Sequence, residues 1–191
     1  MSQAGLTSAF WALGRGTGVV ALVLLTVSVV LGIVARSGRR VPAVGRVGIS
    51  DLHRTAALTG TGLVVAHLGS LLFDPYAQLR LVDLAVPFLA AYRPLWLGLG
   101  TLAVDVLAIV TVVSLLRHRV GPKTFRAVHW ATYALWPMAL LHALGSGTDA
   151  GTTWFRGLAV VCAGAVVAAI GWRLAPSYAG RGWTRQHRRP A

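Results

Sequence analysis

The chain has 191 residues, 55% of them hydrophobic and only 12% charged, and its mean hydropathy is +0.67. That charged share is about half what a soluble domain carries, which excludes an ordinary water-soluble globule and places the protein among membrane proteins. Eighteen basic residues face five acidic ones for a net charge of +13, and all the basic residues except Lys123 are arginine. They lie between apolar runs rather than along one face, which points to membrane orientation and lipid head groups and away from nucleic acid.

Five apolar stretches, near 14–35, 50–73, 95–116, 124–144 and 154–174, are long enough at about 1.5 Å per residue to cross a hydrocarbon core about 30 Å thick. The expected fold is an all-α integral membrane bundle of about five transmembrane helices, multi-pass in the plasma membrane. The first span has no basic region before it and runs into RSGRR rather than a small-residue cleavage site, so it reads as a span and not a signal peptide. Trp11, Trp96, Trp154 and Trp172 fall near predicted span ends, where amphipathic rings anchor at the interface.

The loops set the orientation. Arg36, Arg39, Arg40, Arg46 and Arg54 mark the first connection, and Arg117, Arg119, Lys123 and Arg126 the third. Arg173, Arg181, Arg185, Arg188 and Arg189 mark the C-terminal end. Only Arg15, Arg80, Arg93 and Arg156 lie on the other side. The positive-inside rule then puts the N-terminus outside and the C-terminus in the cytoplasm. Residues 1–174 form the expected membrane domain, and 175–191 a basic cytoplasmic tail. The outside segment 74–94 is partly apolar and is expected to lie on the membrane or dip back as a cap. Cys162, the one cysteine, lies in an apolar run and reads as a small buried side chain.

Four of the six histidines fall in two spans, His53 and His67 in the second, His129 and His142 in the fourth. Imidazole at membrane depth is costly unless it is paired, bound to a metal or facing water. The separations of 14 and 13 residues correspond to about 21 Å and about 19.5 Å of helical rise. Both spans run in the same direction, so His53 lies level with His129, and His67 with His142. Two such levels would hold two planar cofactors stacked across the bilayer, each iron clamped by an imidazole on either side. Two ligands per level are too few for zinc and are what a haem iron engaged in electron transfer uses. Thirteen steps of about 100° leave His142 about 140° from His129 on an ideal helix; either local distortion at Pro137 or cofactors offset around the fourth helix is expected.

The segments DLHRTAALTGTGLVVAHLGSLLF and FRAVHWATYALWPMALLHALGSGTDAGTTW resemble the ferric reductase-like transmembrane domain, the haem-bearing membrane domain of NADPH oxidases, ferric reductases and a bacterial sulfoxide-reductase system. The resemblance runs over roughly residues 14–174 and is closest to a short bacterial form. It implies two haem b groups, His53 and His129 holding the inner iron and His67 and His142 the outer one. It also implies the haem-binding membrane subunit of an oxidoreductase, passing electrons from a cytoplasmic donor to an extracytoplasmic acceptor. No GxGxxG or comparable segment follows the last span, so the donor is expected to be a separate flavin-containing reductase or a quinol. The rivals are a quinol-linked diheme cytochrome b of another family and a non-haem membrane protein or transporter built around Asp105.

Arg54 and Arg126, beside the inner histidines, are the candidate partners of haem propionates, since guanidinium binds carboxylate in bidentate fashion. Asp105 lies midway along the third span, as part of a proton path or as a neutral acid bonded between helices. Tyr133 is a candidate neighbour of the inner haem. Asp74 and Asp149, at the outer ends of the histidine spans, either attract a metal-ion acceptor or are plain loop residues.

Overall fold

The computed structural model describes residues 3–37, 46–74, 77 and 79–174. Arg39 and Arg40, Tyr76 and the basic tail 175–191 lie outside the described residues. Seven helices follow in chain order: α1 (Gln3–Ser37), α2 (Arg46–Leu72), α3 (Pro94–Leu115), α4 (Arg117–Val120), α5 (Pro122–Trp130), α6 (Thr132–Ser146) and α7 (Thr153–Leu174), with a 3₁₀ turn at Leu81–Leu84.

Four of these helices, over Gly5–Arg36, Val47–Leu72, Pro94–Leu115 and Thr153–Leu174, are long and apolar enough to cross a membrane. Large apolar side chains cover their outward faces; Val160, Val161 and Val167 on α7 are each more than two-thirds exposed. Water would penalise such a surface, and lipid does not. The chain is a multi-pass membrane protein.

The expected fourth span is present in two pieces, α5 and α6, and it breaks at Ala131 rather than at Pro137, which stays inside α6. At the break the Thr132 hydroxyl donates to the His129 carbonyl at 2.7 Å. The Ala131 and Ala134 amides close shorter i−3 bonds to Val128 and Ala131. Such 3₁₀-type turns wind the chain by about 120° per residue instead of about 100°, which recovers part of the phase that the 13-residue separation loses.

Two tight helix pairs build the bundle. α1 packs along α2, α3 packs on α6, and α7 closes against α1. The core joins α1, α6 and α7 through Leu25, Leu135, Trp136, Cys162 and Val166. Trp136 buries its ring there and satisfies its indole N–H on the Thr26 hydroxyl at 2.9 Å, so the polar edge carries no desolvation penalty. Gly145 of α6 lies directly against the Trp96 ring of α3, leaving no room for a Cβ. Arg93, at the start of α3, donates to the Gly145 carbonyl and satisfies one acceptor at the α6 C-terminus.

The segment after α2 folds back as a cap on α3, the second of the two arrangements expected for it. Thr101 donates to the Asp83 carbonyl at 2.9 Å, and Phe88 covers Gly98 so closely that a Cβ there would overlap its ring. Within the cap, hydrogen bonds from the Arg80 side chain and backbone hold the Asp83 carboxyl below the usual carboxylate range.

Gly145→Ala is expected to destabilise the protein by about 1–3 kcal/mol through overpacking against Trp96. Gly171→Ala, which has open space around it, is expected to be neutral. Thermal unfolding in detergent, compared between the two variants, reads the difference.

Candidate functional site

The four membrane histidines form two pairs. The His53 and His129 rings have centroids 6.1 Å apart, and those of His67 and His142 6.5 Å, with planes inclined at 76° and 81°. The depth matching read from the two separations is therefore present in the fold, in spite of the helix-phase misfit.

Three of the four rings are oriented in the same way. Nδ1 of His53 lies 2.8 Å from the Ser28 carbonyl, Nδ1 of His67 2.7 Å from the Gly14 carbonyl, and Nδ1 of His142 2.9 Å from the Trp96 carbonyl. A carbonyl oxygen can only accept, so each Nδ1 carries the proton and each Nε2 keeps its lone pair. Ligating histidines are held by just this kind of bond, which also raises the basicity of the ring.

Each of these carbonyls has a glycine four residues further on: Gly18 after Gly14, Gly32 after Ser28, Gly100 after Trp96. Side chains at i and i+4 lie over one another on a helix, so glycine at i+4 uncovers the carbonyl at i. The imidazole fills the notch. A Cβ on Gly18 would come within 3.0 Å of the His67 Nδ1, one on Gly32 within 3.3 Å of the His53 ring, and one on Gly100 would overlap the His142 ring. On α1 the notches recur every fourteen residues, matching His53 and His67 on antiparallel α2.

His129 is the exception. Its Nδ1 is buried with no hydrogen-bond partner among the described residues, and its ring stacks on Phe125 at 5.2 Å and 24°.

The donor set fits haem. An iron between two imidazoles needs about 2 Å for each metal–nitrogen bond, plus about 1.1 Å from each nitrogen to its ring centre for a ring with ~1.35 Å bonds. The total of about 6 Å matches both pairs. Among the described residues no group of three or more His, Cys, Asp or Glu side chains converges on one point, so a closed zinc-type site is not built.

Beside His53 and His129 lies a cavity of about 510 Å³ at the arginine-rich end of the bundle. Arg54 and Arg126 line it, as the sequence suggested, and so do Arg36, Arg117, Arg173 and His118, which were not singled out for it. Their signal was position: Arg36, Arg117 and Arg173 each end a helical span on that side. Arg173 also donates to the Tyr133 hydroxyl and lies 5.3 Å from the Trp130 ring, so it clamps α7 onto the α5–α6 break. Tyr133 thus lines the cavity as the partner of an arginine.

At the opposite end the arginines are engaged within the fold. Arg15 pairs with Asp149, Arg80 with Asp83, Arg93 with the Gly145 carbonyl, and Arg156 with the Ala150 carbonyl. Asp149 is a buried ion-pair partner, and Asp74 is buried as well; neither offers an open carboxylate to an arriving cation. Asp105 is half-buried on α3 and makes no hydrogen bond or ion pair with the described residues.

Gly100→Val is expected to displace His142 and lower the haem bound per chain. Gly62→Val, at an α2 position with open space around it, is expected to leave haem content unchanged. A pyridine haemochrome assay of the two purified variants measures this.

The family described as the ferric reductase like transmembrane component matches residues 17–140. His53, His67 and His129 fall within that stretch, and His142 lies two residues beyond it. Among curated proteins and among solved structures nothing matches the chain. The family match spans more than half of the sequence, on a helical membrane fold that pairs its histidines by depth. The chain belongs to the ferric reductase-like transmembrane component family, a membrane component of electron transfer.

Proposed function

We propose that this chain is a di-haem b electron-transfer protein that carries electrons across the plasma membrane, from a cytoplasmic donor to an extracytoplasmic acceptor. The observation that carries this reading is the pair of imidazole couples, separated by the span an iron needs. In three of the four rings the Nδ1 bond leaves Nε2 free to ligate. Haem b, when bound, supplies a one-electron carrier with both axial positions filled.

The side chains have distinct tasks in this reading. His53 and His129 hold the haem beside the arginine-lined cavity, and His67 and His142 the one toward the opposite end. Arg54 and Arg126, with Arg36, Arg117 and Arg173 around the same cavity, neutralise the propionates of the first haem. The positive-inside rule makes that end cytoplasmic. The apolar core of α1, α6 and α7 keeps water from the path between the two levels. The donor is a flavin-containing reductase, whose one-electron chemistry suits a haem reached through the cavity; a quinol is the alternative donor. Asp105 is not the centre of a transporter in this reading.

Oxidised and dithionite-reduced visible spectra of the detergent-purified protein test the proposal. The expected result is low-spin haem b at about two per chain, with His67→Ala and His142→Ala each removing one haem and leaving the other low-spin. A colourless protein from haem-replete cells would overturn the reading, as would full haem content in the histidine variants.

A further inference from the structure

Three imidazoles sit in carbonyl–glycine notches, and His129 does not. The place where its notch would fall is identifiable. α3 provides the notch for His142 with the Trp96 carbonyl and Gly100. One fourteen-residue period further along α3, the step by which α1 repeats its own two notches, stand Val110 and Ser114. Both line the cavity that His129 also lines, and α5 packs against α3. Serine therefore occupies the position where the other three sites have glycine. On a helix a Cβ at that position lies over the Val110 carbonyl, as glycine at the other three sites does not.

We propose that Ser114 is a positioning residue that withholds a backbone acceptor from His129, making His129 the one weakly anchored axial ligand and the cytoplasmic haem site the first to accept an electron. The inference rests on the di-haem reading above. A bond from Nδ1–H makes an imidazole a stronger donor to its metal and favours the oxidised state. Among the described residues His129 has no such bond; its Nδ1 is buried and unpaired, and its ring stacks on the Phe125 face. The reduced state of that site is correspondingly favoured. The exit level has two anchored rings, His67 and His142, and favours the oxidised state. The difference places the electron on the entry level at equilibrium, so the onward step to the exit level is uphill and has to be drawn by the acceptor beyond it.

The test compares wild type, Ser114→Gly and Ser114→Ala by potentiometric titration of the haem bands, with His67→Ala added to each so that only the entry haem is read. Opening the notch in Ser114→Gly is expected to lower the entry potential by up to a tenfold change in the reduced-to-oxidised ratio, about 59 mV for a one-electron couple. Ser114→Ala keeps the Cβ and is expected to match wild type. Equal potentials in all three proteins, or equal shifts in Gly and Ala, would overturn the inference while leaving two haems per chain intact. Wild-type protein lacking haem would instead remove the reading beneath it. An independent measurement needs no variant at Ser114: haem transfer from wild type to excess apomyoglobin is expected to empty the entry site about tenfold faster than the exit site, and release in the reverse order would count against the inference.

Discussion

A histidine at membrane depth has a ring proton that water cannot satisfy, and the helices of this protein are arranged around that one need. Lipid supplies no acceptor, so the bond must go to a backbone carbonyl on a neighbouring helix. A helical carbonyl is normally covered by the side chain one turn on. Glycine at i+4 removes the cover, and it also lets the helices approach closely enough for an imidazole to reach across. The long α1–α2 contact and its notches at Gly18 and Gly32 are thus one feature seen twice. Trp96 shows the same economy on α3. Its ring packs on Gly145 of α6, and its carbonyl orients His142 on that same helix. The contact that holds α3 to α6 is the contact that aims the ligand.

The two ends of the bundle differ in how their arginines are used. At one end they line a cavity next to His53 and His129; at the other each described arginine is bonded to a carboxylate or a helix carbonyl of the fold itself. Guanidinium groups gathered around a cavity favour anionic groups within it, and there Arg173 also ties α7 to the α5–α6 break; the arginines at the opposite end hold the loops in place. Asp149 illustrates the second use. It looked available to an acceptor from its loop position, yet its carboxylate fastens the α6–α7 connection to α1 through Arg15.

Much of this was legible in the sequence because it is periodic. Apolar length gave the spans, and the 14- and 13-residue separations gave the two levels without reference to side-chain geometry. The glycine period on α1 was equally present in the letters, at Gly18 and Gly32, but it acquires meaning only once α1 is known to run antiparallel to α2. What the letters did not show was set by single competing bonds. A distortion of the fourth span was expected at Pro137, where the missing amide is obvious; the helix is interrupted at Ala131 instead, beside the Thr132–His129 hydrogen bond. The role of Arg173 depends on Tyr133 and Trp130 being brought to it from another helix, which no local pattern encodes.

The position of that break bears on how the two levels differ in rigidity. His67 and His142 lie within continuous helices, and each ring is tied to the backbone of a neighbour. His129 lies near the end of short α5, two residues before the break, with its ring stacked on Phe125 from the preceding turn of the same segment. The restraint on this segment comes from the side, through Arg173 against Trp130 and Tyr133. Its counterpart His53 is fixed to α1 by the Ser28 carbonyl. Among the described residues, backbone anchoring is thus missing on one side of the level next to the arginine-lined cavity, whereas the level between α2 and α6 is held on both sides by backbone.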